Sequence, residues 1–471
     1  MRRPGMRRPH DRGVAVKRVH IVGIGGSGMS AIARVLHEMG WTVTGSDQQA
    51  SRFTESLEAA GVKVMIGHRA ENIGEVEAVV MSSAIAPDNV EVVAARERRL
   101  PVFKRADFLG ELMVGRVGVA VAGTHGKTTT TGLIAHVLQQ AGLDPTYIVG
   151  GTLLDYDTNA RAGAGPFVIE ADEYDHMFLG LKPAIAIVTN VEHDHPDMFP
   201  TLADMQAAFK AFVDRLPADG LLIACAQDRF ARDLAADWAA RGGRARVYGR
   251  RRDDDYRADS IAPNNAGGSD FLACRNGDTM GLVRTRLPGE HNVLNVLAAL
   301  AVADELGVDF NVFRNAVAEY RGAGRRFEVK GEASGVTVVD DYAHHPTEIK
   351  ATLEAARRRF GDRPLWAMFQ PHTFSRTRTL MAEFAESFVK ADHVIVTEIF
   401  ASREARDPSV SGADLVRRMQ HRDARFVQTL DDATDLLAAS LEPGDVLLTL
   451  GAGDGNRVGD DVLRRLAMEG R

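Results

Sequence analysis

A glycine-rich segment near residue 120 restricts the possible folds more than any other part of the chain. Residues 117–131 read VGVAVAGTHGKTTTT, so an apolar strand runs into a tight turn, and a helix is predicted to begin at the threonines. Glycines let backbone N–H groups crowd around phosphate oxygens, and a helix N-terminus adds partial positive charge. The segment therefore predicts a phosphate-binding loop in an α/β domain.

Two side chains in this loop suit nucleotide chemistry. Lys127 would reach the β- and γ-phosphates as a point charge, and the Thr128 hydroxyl would bind Mg²⁺. The general phosphate-loop pattern has glycine at position 121, where this chain has Val121, so the loop is shorter than in common NTPases. The alternative is an ordinary glycine-rich turn with an incidental lysine, and the strand–turn–helix context argues against it.

A second glycine loop lies near the beginning of the chain. Residues 23–28 read GIGGSG between a predicted strand and a predicted helix, and Asp47 follows the next strand, where a ribose-binding acid belongs. Alone, this pattern would suggest NAD and an oxidoreductase, which is the rival enzyme class. A nicotinamide enzyme has no evident use for a second phosphate loop. Two such loops favour two phosphorylated ligands, and hence kinase-like or ligase chemistry.

Acidic residues follow two of the predicted buried strands. Residues 169–175 read IEADEYD and residues 189–197 read TNVEHDHPD. Carboxylates at the C-terminal edge of an α/β sheet, beside a phosphate loop, suit Mg²⁺ coordination. The alternative for either cluster is a solvated loop. His193 and His195 alternate in an extended segment, so an oxygen-rich Mg²⁺ site is favoured over zinc.

Three later segments also carry polar groups. Asn292 and Asn295 share one face at the start of an Ala/Leu-rich helix, where their amides would bond to a purine edge, although capping by Asn292 is the alternative. The segments DDYAHHPTE (340–348) and FQPHTFSRTR (369–378) each follow a strand. Arg376 in the second suits a bidentate clamp on a carboxylate or phosphate.

Composition excludes several classes of protein. The 471 residues carry a net charge of −7, which does not favour nucleic acid as a partner. No apolar run reaches the roughly 18 residues of a membrane span. Cys225 and Cys274 lack the spacing of a zinc site or a disulfide framework. The basic N-terminus has no hydrophobic region, so we expect residues 1–17 to form a disordered tail on a cytoplasmic enzyme.

Short apolar runs alternate with helical patterns, which predicts an α/β fold of three domains. We expect a Rossmann-like N-terminal domain at 18–111, a central mononucleotide-binding domain of P-loop type at 112–318, and a C-terminal Rossmann-like domain at 319–471. The first helix is predicted at Ser30–Glu38. The polar stretch 250–278 predicts surface hairpins.

In this order, the motifs resemble the Mur ligase family from about residue 18 to about residue 460. The family's phosphate loop reads G-T-x-G-K-T/S, so Val121 is normal within it. The resemblance implies ATP-dependent joining of L-alanine to UDP-N-acetylmuramate through an acyl phosphate, with the three domains binding the UDP-sugar, ATP and the amino acid. It further implies Mg²⁺, with Mn²⁺ as a substitute, and a monomer or weak homodimer.

The resemblance also implies roles for individual residues. The UDP-sugar falls to Gly25, Gly26, Ser27, Gly28, Met29, Ser46, Asp47, Ser82, Ser83 and Ala84. ATP falls to Gly123, Thr124, His125, Gly126, Lys127, Thr128, Thr129, His291, Asn292, Asn295, Arg326 and Asp341. The metal ligands are Thr128, Glu170 and His195, and the catalytic set is Lys127, Glu170, His195, His344 and Arg376.

Two further points come from the resemblance. Thr373 stands where many relatives have arginine, so one anion contact is absent or replaced. Within the family, the alternative is a recycling ligase that attaches a preformed tripeptide to the same UDP-sugar. The segments FQPHTFSRT and GIGGSGM favour the alanine-adding branch. A non-catalytic nucleotide-binding scaffold is the remaining alternative, and the set of Lys127, Glu170 and His195 argues against it.

Overall fold

The computed structural model describes residues 17–469, which form three α/β domains in chain order, each built on one β-sheet. The tail predicted at 1–17 lies outside the described residues except for Lys17, whose backbone N–H donates to Glu77 Oε2 at 2.7 Å. Within the described part of the chain, no helix is long and apolar enough to cross a membrane. The predicted three-domain α/β architecture is confirmed.

The first sheet has five parallel strands in the order β3-β2-β1-β4-β5. Its elements are β1 (Arg18–Val22), α1 (Ser27–Glu38), β2 (Thr42–Asp47), α2 (Arg52–Ala59), β3 (Lys63–Ile66), β4 (Ala78–Met81), α3 (Val90–Glu97), β5 (Val102–Lys104) and α4 (Arg105–Met113). Because β1 pairs with β2 on one side and β4 on the other, the strand order reverses at β1. Such a point opens a crevice at the carboxyl end of the strand, where residues 23–28 lie.

The second sheet has ten strands in the order β15-β14-β13-β12-β11-β10-β6-β9-β7-β8. Its elements are β6 (Gly118–Ala122), α5 (Lys127–Gln140), β7 (Thr146–Leu153), β8 (Thr158–Arg161), β9 (Phe167–Glu170), β10 (Ile185–Val188), α6 (Leu202–Val213), β11 (Leu221–Cys225), α7 (Arg229–Ala240), β12 (Arg244–Gly249), β13 (Tyr256–Pro263), β14 (Ser269–Arg275), β15 (Asp278–Thr285), α8 (Glu290–Glu305) and α9 (Phe310–Glu319). Strands β13–β15 form an antiparallel meander, which confirms the predicted hairpins.

The position of β6 explains why the phosphate loop and both acidic segments meet. β6 pairs with β9 on one side and with β10 on the other, all in parallel. The acidic segments predicted after these strands therefore flank the turn that follows β6. Helix α5 is buried from Thr128 to Leu138 and packs against α8, which is itself buried from Val296 to Ala303.

The third sheet has six strands in the order β16-β17-β21-β18-β19-β20. Its elements are β16 (Glu328–Ala333), β17 (Val336–Asp341), α10 (Pro346–Phe360), β18 (Leu365–Phe369), α11 (Phe374–Thr379), α12 (Met381–Ala385), β19 (His393–Val396), α13 (Gly412–Arg418), β20 (Ala424–Phe426), α14 (Leu430–Ser440), β21 (Val446–Leu450) and α15 (Asn456–Glu469). The last strand, β21, lies between β17 and β18, so the sequence segments that follow those two strands face one edge.

The first two domains contact each other through α1, which packs against β7 and β8. The Asn159 side chain donates to the Ser27 carbonyl at 3.3 Å, and the Ala162 backbone N–H donates to Glu38 Oε2 at 2.8 Å. Helix α1 begins at Ser27, three residues before the predicted start, because Gly26 caps the helix and the glycine loop forms its first turn. The glycine-rich loop and the helix are thus one continuous unit.

Candidate active site between three domains

The turn after β6 has a conformation that requires glycine. Gly123 has φ +142°, and a Cβ there would lie 1.8 Å from Thr189 Oγ1. The Thr189 hydroxyl donates a hydrogen bond to the His125 carbonyl at 2.6 Å, which fixes the loop against the end of β10. Gly126, with φ +82°, precedes the first residue of α5. The N–H groups at the start of α5 therefore face an open turn, as a phosphate loop requires.

Lys127 is held beside this turn by an acidic partner that the sequence did not reveal. Its Nζ donates to the Gly123 carbonyl at 2.6 Å and to both carboxylate oxygens of Glu173 at 2.9 Å. Burial alone would lower the pKa of Lys127, but the negative charges of Glu173, Asp172 and Glu170 raise it above the ordinary value. The ammonium group is therefore charged at neutral pH.

Thr128 and Glu170, two of the predicted metal ligands, are neighbours. The Thr128 hydroxyl donates to Glu170 Oε1 at 3.1 Å, and the Gly150 backbone N–H donates to Glu170 Oε2 at 2.7 Å. Burial raises the pKa of Glu170 despite the nearby positive charge of Lys127. A buried carboxylate beside a hydroxyl is a pair of hard oxygen ligands, and a divalent cation would relieve the desolvation of this carboxylate.

The third predicted ligand, His195, lies apart from this pair and is linked through Glu173 to Lys127. Its Nε2 lies 3.6 Å from Glu173 Oε1 and 3.7 Å from Asp194 Oδ2. Burial would lower the pKa of His195, but Asp194 and Glu173 raise it above its usual value. Among residues 17–469 no direct contact joins His195 to Thr128 or Glu170. Glu173 is thus the residue that connects Lys127 with His195.

Arg376 does not present an open clamp, contrary to its predicted role. Its Nε donates to Asp194 Oδ1 at 2.7 Å, and its Nη1 donates to the His372 carbonyl at 2.7 Å. Both side chains of the Arg376–Asp194 pair are about 4% exposed. Because Asp194 follows β10 and Arg376 belongs to α11, this is a buried ion pair between the central and C-terminal domains.

His344 is a neutral side chain in the same region. Its Nδ1 lies 2.9 Å from the Tyr342 carbonyl, and its ring lies 6.0 Å from that of His372. Burial lowers the pKa of His344 to about 3 even though Glu348 is nearby. A group with so low a pKa is a weak proton acceptor at neutral pH, so this environment gives little support to a role as general base.

A cavity of about 290 Å³ lies between the central and C-terminal domains, next to the phosphate loop. Eight residues predicted to bind ATP line it: His125, Gly126, Thr129, His291, Asn292, Asn295, Arg326 and Asp341. Lining residues that the sequence did not indicate include Tyr248, Leu287 and Ala351. Their apolar surface suits a flat heterocycle. Tyr248 and Leu287 also belong to the core of the central domain, so no sequence pattern marks them as ligand contacts.

The two asparagines of α8 bind each other in this cavity. The Asn295 amide donates to Asn292 Oδ1 at 2.9 Å, and the Asn292 amide donates to the Pro288 carbonyl at 2.7 Å. Asn292 therefore holds the segment before α8 rather than accepting a helix-capping bond. A Cβ at Gly126 would lie 2.8 Å from Asn295 Oδ1, so Asn295 also packs against the phosphate loop.

His125 joins the phosphate loop to the C-terminal domain. Its Nδ1 lies 3.2 Å from Glu348 Oε1, and its Nε2 lies 3.4 Å from Glu192 Oε2. Burial opposes the charged imidazolium, but hydrogen bonds to Glu192 and Glu348 raise the pKa of His125 to about 9. Thr347 adds a hydrogen bond to Glu192 at 2.6 Å.

Some of the residues predicted to bind the UDP-sugar lie together at the crevice of the first sheet, and others are buried away from it. The Gly25 backbone N–H donates to Asp47 Oδ2 at 2.8 Å, and a Cβ at Gly23 would lie 3.1 Å from Ser82 Cβ. These contacts bring residues 23–28, Asp47 and the turn 82–84 together. Met29, however, is 2% exposed and belongs to the hydrophobic core. Its side chain cannot face a ligand, so only its backbone is available.

Ser46 also departs from prediction, because its side chain is fully buried and its hydroxyl donates to Glu91. The Glu91 carboxylate additionally accepts from the Asn72 amide at 2.6 Å and lies 3.1 Å from His68 Nδ1. Although burial alone would raise the pKa of Glu91, the neighbouring His20 ring and the hydrogen bonds from Ser46 and Asn72 hold it at about 2. This buried network fixes the end of β2 beside the crevice, and no periodic pattern in the sequence marks it.

Thr373, where the resemblance predicts that one anion contact is absent or replaced, binds a carboxylate of its own domain. Its hydroxyl donates to Glu404 Oε1 at 2.6 Å, and the Ser375 backbone N–H donates to Glu404 Oε2 at 2.9 Å. Beside Glu404, the exposed Arg403 lies with its guanidinium 3.8 Å from the ring centroid of Tyr174. Thr373 thus fixes a loop of the C-terminal domain that contacts the central domain.

Models of three protein families match successive parts of the chain. Residues 18–116 match the Mur ligase family catalytic domain, residues 121–303 match the Mur ligase middle domain, and residues 325–453 match the Mur ligase glutamate ligase domain. The matched segments correspond to the three sheets in their chain order.

Individual proteins resemble the chain over nearly its whole length. A UDP-N-acetylmuramate–L-alanine ligase from Geobacter sp. (strain M21) is 44% identical over 455 residues, covering 96% of this chain and 98% of the relative. The crystal structure of UDP-N-acetylmuramate-alanine ligase from Thermotoga maritima has a TM-score of 0.80 at 30% identity, covering 96% and 99% of the two chains. A murein peptide ligase from Psychrobacter arcticus has a TM-score of 0.70 at 27% identity, covering 95% and 98%.

Proposed function

This chain belongs to the Mur ligase family, and we propose that it joins L-alanine to the lactyl carboxylate of UDP-N-acetylmuramate. The reaction consumes ATP and yields UDP-N-acetylmuramoyl-L-alanine, ADP and phosphate, a step in peptidoglycan precursor synthesis. The names of the Geobacter and Thermotoga relatives support this assignment. ATP and UDP-sugars are metabolites of the cytoplasm, where we place the reaction.

Each domain has one ligand in this proposal. Residues 18–111 bind the UDP-sugar at the crevice after β1, residues 112–318 bind ATP, and residues 319–471 bind the amino acid and complete the ATP cavity. This division is supported by glycine loops at the carboxyl ends of β1 and β6 and by the cavity shared between the second and third domains. We further propose that the enzyme acts as a monomer or weak homodimer.

A magnesium ion fits the residues beside the phosphate loop. Thr128 and Glu170 offer adjacent oxygen atoms, and among residues 17–469 no cationic side chain forms an ion pair with the buried Glu170 carboxylate. We propose that these two residues hold Mg²⁺ or Mn²⁺, with His195 and Glu173 completing the site. When bound, the cation supplies positive charge to the phosphate oxygens.

The chemistry proceeds through an acyl phosphate. The lactyl carboxylate attacks the γ-phosphate of ATP, and ADP leaves; the amine of L-alanine then attacks the acyl carbon, and phosphate leaves. Lys127 neutralises charge that spreads over the phosphoryl oxygens in the first step. The amine must lose a proton in the second step. Closure of the three domains around the site would exclude water, which would otherwise hydrolyse the acyl phosphate.

The observation that carries this proposal is the position of Lys127, which contacts the phosphate loop and Glu173 of the acidic cluster and directly follows Gly126, a residue that lines the inter-domain cavity. We therefore expect Lys127→Ala to abolish phosphate release that depends on both UDP-N-acetylmuramate and L-alanine. Lys390→Ala, at an exposed lysine far from the loop, provides the matched control. Normal turnover by Lys127→Ala would refute the proposal.

A second candidate function is ligation of a preformed tripeptide to the same UDP-sugar, favoured by the similarity to the Psychrobacter murein peptide ligase. Both functions predict the same ATP and UDP-sugar sites, and they differ only in the amine that attacks. Phosphate release measured with L-alanine, glycine, L-serine and the tripeptide L-Ala-γ-D-Glu-meso-diaminopimelate distinguishes them. Selective turnover with the tripeptide would replace the alanine assignment.

A further inference from the structure

Arg105 lies over the glycine loop of the first domain, although no sequence motif marked it. It is the first residue of α4, and a Cβ built on Gly28 would lie 2.5 Å from Arg105 Nη1. The guanidinium therefore occupies the space that a side chain at position 28 would need. Glycine at this position lets the cation approach the backbone at the beginning of α1.

Two positive groups meet at this point. The first turn of α1 has neither a side-chain cap nor an acidic residue, so its N–H groups keep their partial positive charge. A guanidinium beside such a helix end is electrostatically unfavourable unless an anion lies between them or nearby. Asp47, the adjacent acid, already accepts a hydrogen bond from the Gly25 backbone through Oδ2.

The guanidinium has hydrogen-bond donors that the protein leaves unused. Its Nη2 donates to Asp172 Oδ2 at 3.3 Å, a long contact with a partly exposed carboxylate of the central domain. Its Nε is buried and has no acceptor among residues 17–469. An arginine offers five N–H donors in a planar fork, and a buried donor without an acceptor is costly.

We propose that Arg105 binds the diphosphate of the UDP-sugar together with the first turn of α1. A diphosphate supplies both the negative charge and the several oxygen acceptors that the fork and the helix end lack. Asp172 holds the outer edge of the guanidinium, so this contact connects the UDP-sugar site with the acidic segment that carries Glu170 and Glu173. This assignment rests on the proposed function, because it takes the first domain as the UDP-sugar site.

The test is calorimetric titration of the whole protein with UDP and, separately, with uridine. We expect Arg105→Ala to weaken UDP binding about 10- to 100-fold, the range for lost hydrogen bonds to a charged group, and to leave uridine binding unchanged. Arg105→Lys, which keeps the charge but not the fork, should fall between wild type and Arg105→Ala. Lys104→Ala, at the exposed neighbour, is the matched control.

A merely structural ion pair between domains gives a different pattern. In that case Asp172→Asn would weaken UDP binding as much as Arg105→Ala does, which would overturn the assignment. If Arg105 binds phosphate, Asp172→Asn frees the guanidinium and leaves UDP affinity equal or higher. Retained binding of an ATP analogue by each variant shows that the protein is folded.

Titration of the wild-type protein separates the role of Arg105 from the UDP-sugar site itself. Wild-type protein that binds neither UDP nor uridine would contradict the UDP-sugar site itself, and with it the role of Arg105. Wild-type protein that binds UDP with the same affinity as Arg105→Ala would contradict only the role of Arg105.

Discussion

Single residues near Lys127 show how buried charges are arranged in advance of a ligand. The Lys127 ammonium and the Glu173 carboxylate form a close pair, and the Glu173 side chain is 1% exposed. Removing one partner from such a pair leaves the other charge in a medium of low polarity, which costs more than the pair contributes. The pair therefore keeps the lysine charged and fixed while no phosphate is bound.

A double-mutant cycle in the ligand-free protein tests this pairing. We expect Lys127→Met and Glu173→Gln each to lower thermal stability, and the double variant to lower it by less than the sum. Residues in direct contact typically show a coupling of about 0.5–3 kcal/mol, and a buried ion pair belongs in the upper part of that range. Calorimetric melting of the four proteins gives the coupling. Additive effects would contradict a direct interaction.

Sequence reasoning located the acidic segment but not the acid that pairs with Lys127. Alternation along a strand determines which side chains face one side, and it ends with the strand at Glu170. Glu173 lies beyond it in an irregular turn, where orientation depends on contacts with other segments. The same limit applies to Ser46, a polar residue at a strand end that donates to the distant Glu91 instead of facing a ligand.

At the level of elements, the beginning of α10 is fixed against the phosphate loop. His345 caps this helix by accepting a hydrogen bond from the Thr347 backbone, and its ring packs 4.7 Å from that of His125. Glu348, in the first turn of α10, is favourably placed at a helix N-terminus and pairs with His125. One helix end therefore couples the C-terminal domain to the phosphate loop through charge.

This coupling depends on pH. The pKa of His125 is raised to about 9 in the folded protein, against about 6.5 for an unperturbed histidine. A raised pKa means that the stabilisation is complete below about pH 6.5 and is lost as the pH rises through about 9. We expect the difference in melting temperature between wild type and His125→Gln to be largest near pH 6 and to shrink by pH 10.

Melting curves of the ligand-free proteins across this pH range provide the measurement. Comparison with the variant removes the contribution of other groups that titrate in alkali. A difference that stays constant from pH 6 to pH 10 would show that the imidazolium does not stabilise the folded state. His37→Gln, at a histidine near the end of α1, is a suitable control.

Most elements with a strong apolar pattern were predictable, and those with a weak pattern were not. The run Leu365–Phe369 reads LWAMF, a pattern that predicts a buried strand, and the structure has a strand at these bounds with all five residues buried. Strands β7 and β8 were not predicted, because β7 contains two adjacent glycines and β8 is a short, mainly polar run, TNAR. Their β structure comes from pairing with β9 and with each other.

On the scale of the whole molecule, the central and C-terminal domains meet through the buried Asp194–Arg376 pair. Substitution of Arg376 would leave the Asp194 carboxylate desolvated without its partner, at a cost of about 3–5 kcal/mol. Separation of the two domains would let water reach that carboxylate. We therefore expect Arg376→Met to shift the protein toward an open arrangement with a larger radius of gyration.

Small-angle X-ray scattering of the ligand-free protein tests this expectation. Arg378→Met is the matched control, because Arg378 lies on the same helix but is more than half exposed and pairs with Asp407 at the surface. An unchanged radius of gyration in Arg376→Met, with normal folding, would show that other contacts hold the domains together.

The order of strands and loops along the chain was sufficient to predict three α/β domains and the two glycine loops. Contacts between domains were not predictable, because they join residues far apart in sequence and carry no periodic pattern. Arg376 was expected to bind a substrate carboxylate, whereas in the structure it binds Asp194. A sequence motif shows that an arginine suits an anion, but it does not show which anion is nearest.

The cavity beside the phosphate loop has a consequence for inhibitor design. Its wall is divided between two domains, so a compound that fills it would contact both at once and act as a molecular glue. A compound that binds only when the central and C-terminal domains are docked stabilises the docked arrangement by mass action. If the cavity binds ATP as proposed, such an inhibitor would block nucleotide entry and also prevent the domains from separating, so its potency would depend on the docking equilibrium as well as on its own contacts.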